Sequence, residues 1–487
     1  MLKAHDAWKR LQEYKDRYYN ENAAAYSGDR KLLRATAIPD SFWARTQNCK
    51  MHVPIASDIA STSSDLLFGE TPRFELFNNK EKEEDKKSID RFEELISLNE
   101  LSSLLSEACE TCSALGDVFL KINWSKEDFD YPTLSVVQPD SAWAEYVFGS
   151  LKCIHIFSVI LLEEEKVTRI YERYSKGLIE VSLFEGTSTE LGHEILDDYL
   201  LEQIGLERVI ETPINELLAV HIPNIRPNRK FRNSKLGRSD FDSLRDLGDS
   251  LDEAYTSWLR DIRLAKARTI VPVEYLRKVP IGADDGLSSS GYFDFDQDVE
   301  TFCTMDIDTD KLSNPITLSQ FEIRASQHKD SCLNFIERII SSAGYSPQSF
   351  GLHIEGSSSS GTALKIREKK SYATVMKKQS YWKNPLQKLL GALVHLDSVL
   401  YPSFGSKADS SVVVNFRDGW LDDISTISTA VEQISRADAA SLETKVKMLH
   451  PYWNEYQVNA EIEKINAENG LDVENPSVNA MLGDYEE

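Results

Sequence analysis

Between residues 239 and 343 the sequence carries two long apolar stripes at helical spacing, separated by strand-like text. In the first stripe, Phe241, Leu244, Leu247, Leu251, Ala254, Trp258, Ile262 and Ala265 step by three and four, the period of one helix face. Ser239 with Asp242 three residues on reads as a capping box, so a helix is predicted over 239–267. Six acids and one base fall in 239–254, against one acid and four bases in 255–268. That polarity complements the helix macrodipole. In the second stripe, Phe321, Ala325, His328, Cys332, Phe335, Ile339 and Ala343 predict a helix over 315–343. The intervening 269–313 (TIVPVEYL, GADDGLSSSG, FDFDQDVETF) is β-rich with turns. Two long helices whose far ends are joined by a small β module predict an antiparallel pair.

The text before this pair is mixed. Ile55 to Leu67 forms an apolar helix ending near Gly69. From Val118 the period drops to two: Val118, Leu120, Ile122 and Trp124 alternate with more polar neighbours, a strand signal. Residues 151–184 predict a meander, with strands to Leu162, to Tyr174 and from Leu178 to Phe184, joined at EEEK and SKG. The fold class is therefore α+β, helix-rich, with an antiparallel sheet in the first part. The segment RPNRKFRNSKLGR (226–238) has six bases and no acid. After the pair, GYSPQSFGLHIEGSSSSG (344–361) is a Gly/Ser/Pro loop. A third long helix over 362–400 starts basic, with eight Lys/Arg and one Glu in 365–388. Pro385 should kink it, and LQKLLGALVHL should be buried.

Residues with catalytic or metal-binding spacing do not assemble into a site. No G-x-x-x-x-G-K-[ST] occurs; Gly351-LHIE-Gly356-Ser357 lacks the phosphate-binding lysine. The serine run has no nucleophile elbow. Cys109-x-x-Cys112 stands alone, in a helical context that predicts buried core thiols, and Cys153 and His155 alternate on a strand as packing residues. Asp294-x-Asp296-x-Asp298 and Asp306-x-Asp308-x-Asp310 open like a calcium loop but lack its glycine and glutamate. They read as an acidic face or rim, and neither cofactor nor metal is expected.

Six cysteines among 487 residues make no disulfide framework, which predicts a reducing compartment. MLKAHDAWKR has no apolar signal region, and no stretch approaches the ~20 apolar residues of a membrane helix, so a soluble cytoplasmic product is expected. The net charge of −24 argues against a surface built to grip nucleic acid.

Five stretches carry a resemblance: KMHVPIASDIASTSSDLLFGETPRFEL (50–76), GRSDFDSLRDLGDSLDEAYTSWLRDIRLAKARTIVP (237–272), QFEIRASQHKDSCLNFIERIISSAGYSPQSFGLHIEG (320–356), SGTALKIREKKSYATVMKKQSYW (360–382) and LETKVKMLHPYWNEYQVNAEIEKIN (442–466). Together they resemble the portal proteins of tailed bacteriophages, of the type found in siphoviruses of Gram-positive hosts. The resemblance implies a structural protein, not an enzyme: a ring of twelve subunits at one capsid vertex, or thirteen in isolation. Double-stranded DNA passes through it, packaged by a separate terminase and later ejected. It also implies a virion location after assembly in the host cytoplasm. The implied partners are other copies of the chain, DNA held without sequence preference, the terminase large subunit, the major capsid and scaffold proteins, and a head-completion adaptor.

By segment, the resemblance implies a wing over 1–236, stem helices over 237–268 and 314–343 and a clip over 269–313. A tunnel loop over 344–361, a long kinked helix over 362–400 and a crown with the C-terminal tail over 401–487 complete it. Gly351, His353, Glu355, Ser357, Ser358, Ser359 and Ser360 would then line the channel, and Asp294, Asp296 and Asp298 would rim the clip. Lys365, Arg367, Lys369 and Lys370 would meet phosphates or neighbouring subunits.

Elementary geometry agrees with such a ring. A 29-residue stem helix would be about 43 Å long. Twelve helices at about 10 Å spacing place their axes on a circle of roughly 19 Å radius, and removing helix radii of about 5 Å leaves a bore near 28 Å. B-DNA, about 20 Å across by its groove depths, would pass. An acidic channel suits sliding, because each neutralised phosphate would act as a brake. Two other classes compete: a metal-dependent DNA-processing enzyme using the Asp294–Asp310 carboxylates, and an adaptor working as a monomer or dimer.

Overall fold

The computed structural model describes residues 2–45, 50–77, 83–162, 166–196, 198–203, 205–265, 268–270, 278–279, 292–293, 317–319, 322–352, 361–407, 411–416, 424–437, 439–450 and 455–468. The elements run α1 (Ala4–Tyr14), α2 (Asn20–Ser27), α3 (Arg30–Ala35), α4 (Ile55–Phe68), β1 (Arg73–Phe77), α5 (Glu83–Leu98), α6 (Leu101–Leu115), β2 (Asp117–Asn123), β3 (Thr133–Val137), β4 (Ala142–Val147), β5 (Ser150–Leu162), β6 (Val167–Ser175), β7 (Leu178–Gly186), β8 (His193–Ile195), α7 (Asp198–Gln203), β9 (Val209–Glu211) and β10 (Ala219–Pro223). They continue as α8 (Arg245–Leu264), β11 (Arg268–Ile270), β12 (Lys278–Val279), β13 (Tyr292–Phe293), β14 (Thr317–Ser319), α9 (Ala325–Ala343), α10 (Gly361–Leu400), β15 (Ser411–Asn415), α11 (Ile424–Arg436), α12 (Leu442–Leu449) and α13 (Glu455–Glu468). A π-helical turn over Lys15–Tyr19 joins α1 to α2.

Two compact units emerge. The first comprises Met1–Leu11, Thr62–Arg238 and Lys369–Glu487; the second comprises Gln12–Ser61 and Ser239–Glu368. Residues 12–61, which the sequence reading placed with the first α+β part, group with the paired helices.

The first unit is built on the meander. Its largest sheet runs β4-β5-β6-β7-β8, with β9 also on β7, all antiparallel. A second sheet, β10-β2-β3, carries the alternation anticipated from Val118 onward. The second half of α10 supplies the apolar core: Trp382, Leu386, Leu389, Leu390, Leu393 and Leu396 are buried in one cluster with Phe68, Phe119 and Ile222. The helix runs on through Pro385. Cys109 and Cys112 are buried in the same cluster as free thiols, as anticipated. Arg91, buried on α5, grips Asp397 through two hydrogen bonds of 2.9 and 3.2 Å and stacks on the Phe404 ring at 4.1 Å. Both charges are desolvated, so the fork geometry of the pair offsets their burial.

In the second unit, α8 and α9 pack together. The end of α8 meets the start of α9, so they are antiparallel, and β11 pairs antiparallel with β14 just beyond. Both helices are shorter than their stripes predicted. The first starts at Arg245 rather than 239, because Ser243 adopts φ +65°, which no α-helix accommodates. The Ser239–Asp242 pair instead closes a turn, with Asp242 N–H donating to Ser239 O and Phe241 N–H to Ser239 Oγ. The helix is thus about 30 Å long rather than 43 Å. The second starts at Ala325, since Thr317–Ser319 is committed to strand pairing. Phe321 lies outside the described residues. Among the described residues no helix is long and apolar enough to cross a membrane.

Candidate functional site

Helix α8 is anchored by polar groups at helical spacing. Asp252, buried, accepts three hydrogen bonds: from Val53 N–H (2.8 Å), Trp43 Nε1–H (2.9 Å) and His52 Nδ1 (2.8 Å). One turn on, Thr256 Oγ1 accepts from Met51 N–H at 3.0 Å. The ammonium of Lys50 donates to the Phe42 and Arg45 carbonyls, and burial pulls its pKa down. Asp249 lines a cavity of about 60 Å³ beside Asp252, and burial raises its pKa. At the far end, Asp261 accepts from His328 Nε2 (2.9 Å) and Arg324 (2.8 Å), which hold its carboxyl below the usual range. The His328 ring stacks on Trp258, 6° from parallel. Sequence reading missed this anchoring. Its one signal is a second stripe, Arg245, Asp249, Asp252 and Thr256, stepping by four, three and four.

The apolar residues in and around α8 are only partly covered. Leu251 and Ala265 are buried, but Ile262 is 44% and Leu264 37% exposed, and Ile323 before α9 is 42% exposed.

The basic loop is an ordered structure in the first unit. Asp117, fully buried, accepts from His221 Nε2 (2.8 Å) and Gly237 N–H (2.7 Å), and the Tyr146 hydroxyl meets His221 Nδ1 at 2.6 Å. Gly237 admits no side chain: a Cβ there would stand 2.1 Å from the Gly116 carbonyl oxygen. Asn228 closes the loop, donating to Gly237 O and accepting from the Lys230 and Phe231 amides. Arg229, Lys230, Arg232 and Lys235 are all left exposed. Nothing in the sequence marked Asp117, His221 and Tyr146 as the support of this loop, because they come from β2, β10 and β4.

The individual sequence candidates are placed unevenly. Gly351 ends a short 3₁₀ turn at φ +73°, its N–H donating to Gln348 O. His353, Glu355 and Ser357–Ser360 lie outside the described residues, as do Asp294, Asp296 and Asp298. Lys365 and Arg367 lie on α10, and Lys369 and Lys370 are exposed there. Lys378 is different: it is buried, donating to Ser63 Oγ at 2.5 Å, and serves the packing.

Over residues 3–474 the chain matches the family described as "Phage portal protein, SPP1 Gp6-like". The chain belongs to that family. The portal protein is a structural component of the virion, forming the portal ring at the neck of the capsid, and is not an enzyme. Two solved structures contain similar chains. One, "Neck of native GTA particle computed with C12 symmetry", is 11% identical with a TM-score of 0.38, over 82% of this chain and 90% of that one. The other, "Neck of empty GTA particle computed with C6 symmetry", is 10% identical with a TM-score of 0.36, over 81% and 90%. No curated protein sequence matches the chain.

Proposed function

We propose that twelve copies of this portal protein surround double-stranded DNA, with α8 and α9 as the stem, 269–313 as the clip and 344–361 as the tunnel loop. The wing, the kinked helix over 362–400 and the crown take the positions implied by the sequence resemblance, as does the siphovirus type from a Gram-positive host. The observation that carries this reading is the α8/α9 pair, whose apolar residues Ile262, Leu264 and Ile323 stay exposed in a lone subunit. A neighbouring subunit in a ring would bury them.

Within that ring the Ser357–Ser360 loop and Gly351, His353 and Glu355 face the bore. Asp294, Asp296 and Asp298 rim the clip. Arg229, Lys230, Arg232 and Lys235, with Lys365, Arg367, Lys369 and Lys370, meet phosphates or acidic neighbours without reading base edges. The terminase large subunit, the major capsid and scaffold proteins and a head-completion adaptor dock on the ring.

Native mass spectrometry with two-dimensional electron-microscopy averages tests the assembly, with rings of twelve expected. A stable monomer that stays monomeric after adding scaffold protein would reject it. Replacing Ser357–Ser360 with bulky aromatics should reduce packaged DNA while rings still form; normal genome filling would remove the loop from the bore.

A further inference from the structure

On the largest sheet of the first unit, three metal-competent side chains converge. Glu145 on β4 is the direct cross-strand partner of Cys153 on β5, and His155 follows two residues on, on the same face. Their atoms form a near-equilateral triangle: Cys153 Sγ to Glu145 Oε2 is 3.3 Å, Cys153 Sγ to His155 Nε2 is 3.5 Å, and His155 Nε2 to Glu145 Oε2 is 3.5 Å. Tetrahedral zinc, with a Zn–S bond of about 2.3 Å and Zn–N and Zn–O bonds of about 2.0 Å, sets such donors roughly 3.3–3.6 Å apart. Cys153 and His155 are fully buried, and Glu145 is 9% exposed.

The surroundings are those of a metal site. His155 Nδ1 lies 2.8 Å from the Tyr171 hydroxyl. With the Nδ1 proton donated there, Nε2 turns its lone pair toward the other two donors. Glu145 is oriented by Lys152 on Oε1 (3.1 Å) and by the Leu2 amide on Oε2 (3.2 Å). Arg173, on the neighbouring strand, is paired with Glu180.

We propose that Glu145, Cys153 and His155 bind one divalent transition metal, zinc by donor type, with water in the fourth position. Binding forms three protein–metal bonds and releases the Cys153 thiol proton to solvent. The metal would cross-link β4 and β5 and, through Glu145, tie down the N-terminal segment. It is a structural site, independent of how the ring handles DNA.

The test uses the full-length portal protein, purified without a metal-affinity tag from zinc-supplemented cells. Elemental analysis should find about one zinc per subunit. Cobalt(II) added to metal-stripped protein should give a thiolate-to-metal charge-transfer band. The near-isosteric Cys153→Ser should abolish that band and lower zinc content at least tenfold, while electron microscopy shows unchanged assembly. Glu145→Gln should weaken retention without removing the band. Zinc well below one per subunit with no cobalt band in folded wild-type protein would overturn the site, leaving a hydrogen-bonded cluster. Equal zinc in wild type and Cys153→Ser would equally overturn it, placing the metal elsewhere.

Discussion

Helices α8 and α10 are both long, and the molecule uses them in opposite ways. Between Leu386 and Leu396 nearly every apolar residue of α10 is buried inside its own unit. Over the whole of α8 only Leu251, Asp252 and Thr256 are buried, and two of those three are polar. Helix α10 is held by apolar area, which is strong and non-directional. Helix α8 is held largely by hydrogen bonds, at Asp252, Thr256 and Asp261, while Ile262 and Leu264 stay exposed. The proposed stem rests on that difference: an apolar core satisfied within one unit, and a helix pair that keeps apolar residues exposed.

The largest expected effect comes from breaking the apolar anchor. Trp382→Ala, at a fully buried position packed on Phe68, should lose about 3–5 kcal/mol in chemical denaturation. Breaking the polar anchor should be next. Asp252→Ala strands Trp43 Nε1, His52 Nδ1 and the Val53 amide, and each unmet buried donor carries a penalty of roughly 1–3 kcal/mol. Hydrogen exchange should localise that loss to 12–61 and 239–264, and a uniform loss across both units would break the comparison.

Asp249 sharpens it further. Its folded-state pKa is raised, first by burial and then by the nearby Asp252 charge, although Arg245 pulls the other way. Its contribution to stability is therefore present below the ordinary value of 3.8 and lost as pH rises through the folded value. Asp249→Asn should raise the stability of the subunit at neutral pH, a gain that shrinks as pH falls through the raised folded value and is gone below 3.8. A variant less stable at pH 7 would show that this carboxylate supports folding. The smallest effect on the subunit itself is expected from Ile262→Ser, within about 0.5 kcal/mol by thermal denaturation of monomer. The same change should lower the yield of rings, and unaltered ring formation would mean that α8 needs no neighbour there.

Local periodicity made much of this architecture legible. The meander from 151 to 184, the strand from Val118, the helix over 55–67 and the burial of LQKLLGALVHL all follow from residues within one element. The helix starts did not, for two different reasons. Ser239 and Asp242 satisfy a cap pattern, yet the chain turns again at Ser243 before the helix begins. Thr317–Ser319 reads as the first turn of a helix until its partner strand at 268–270 claims it. Cys153 and His155 read as packing residues in the sequence, since Glu145 stands on another strand and only the register of β4 against β5 brings it opposite.

The order of amino acids by itself determined the α+β class, the paired helices, the acidic balance and the family, because periodicity, charge and collinear resemblance are properties of one dimension. Tertiary structure decided where α8 begins, that Asp252 ties it to Trp43, His52 and Val53, and that Asp117 and His221 support the basic loop. It also decided that three donors from two strands meet on one face of the sheet. Each of those depends on groups distant in sequence coming within hydrogen-bonding range, and that distance is set by packing and strand register rather than by any local pattern.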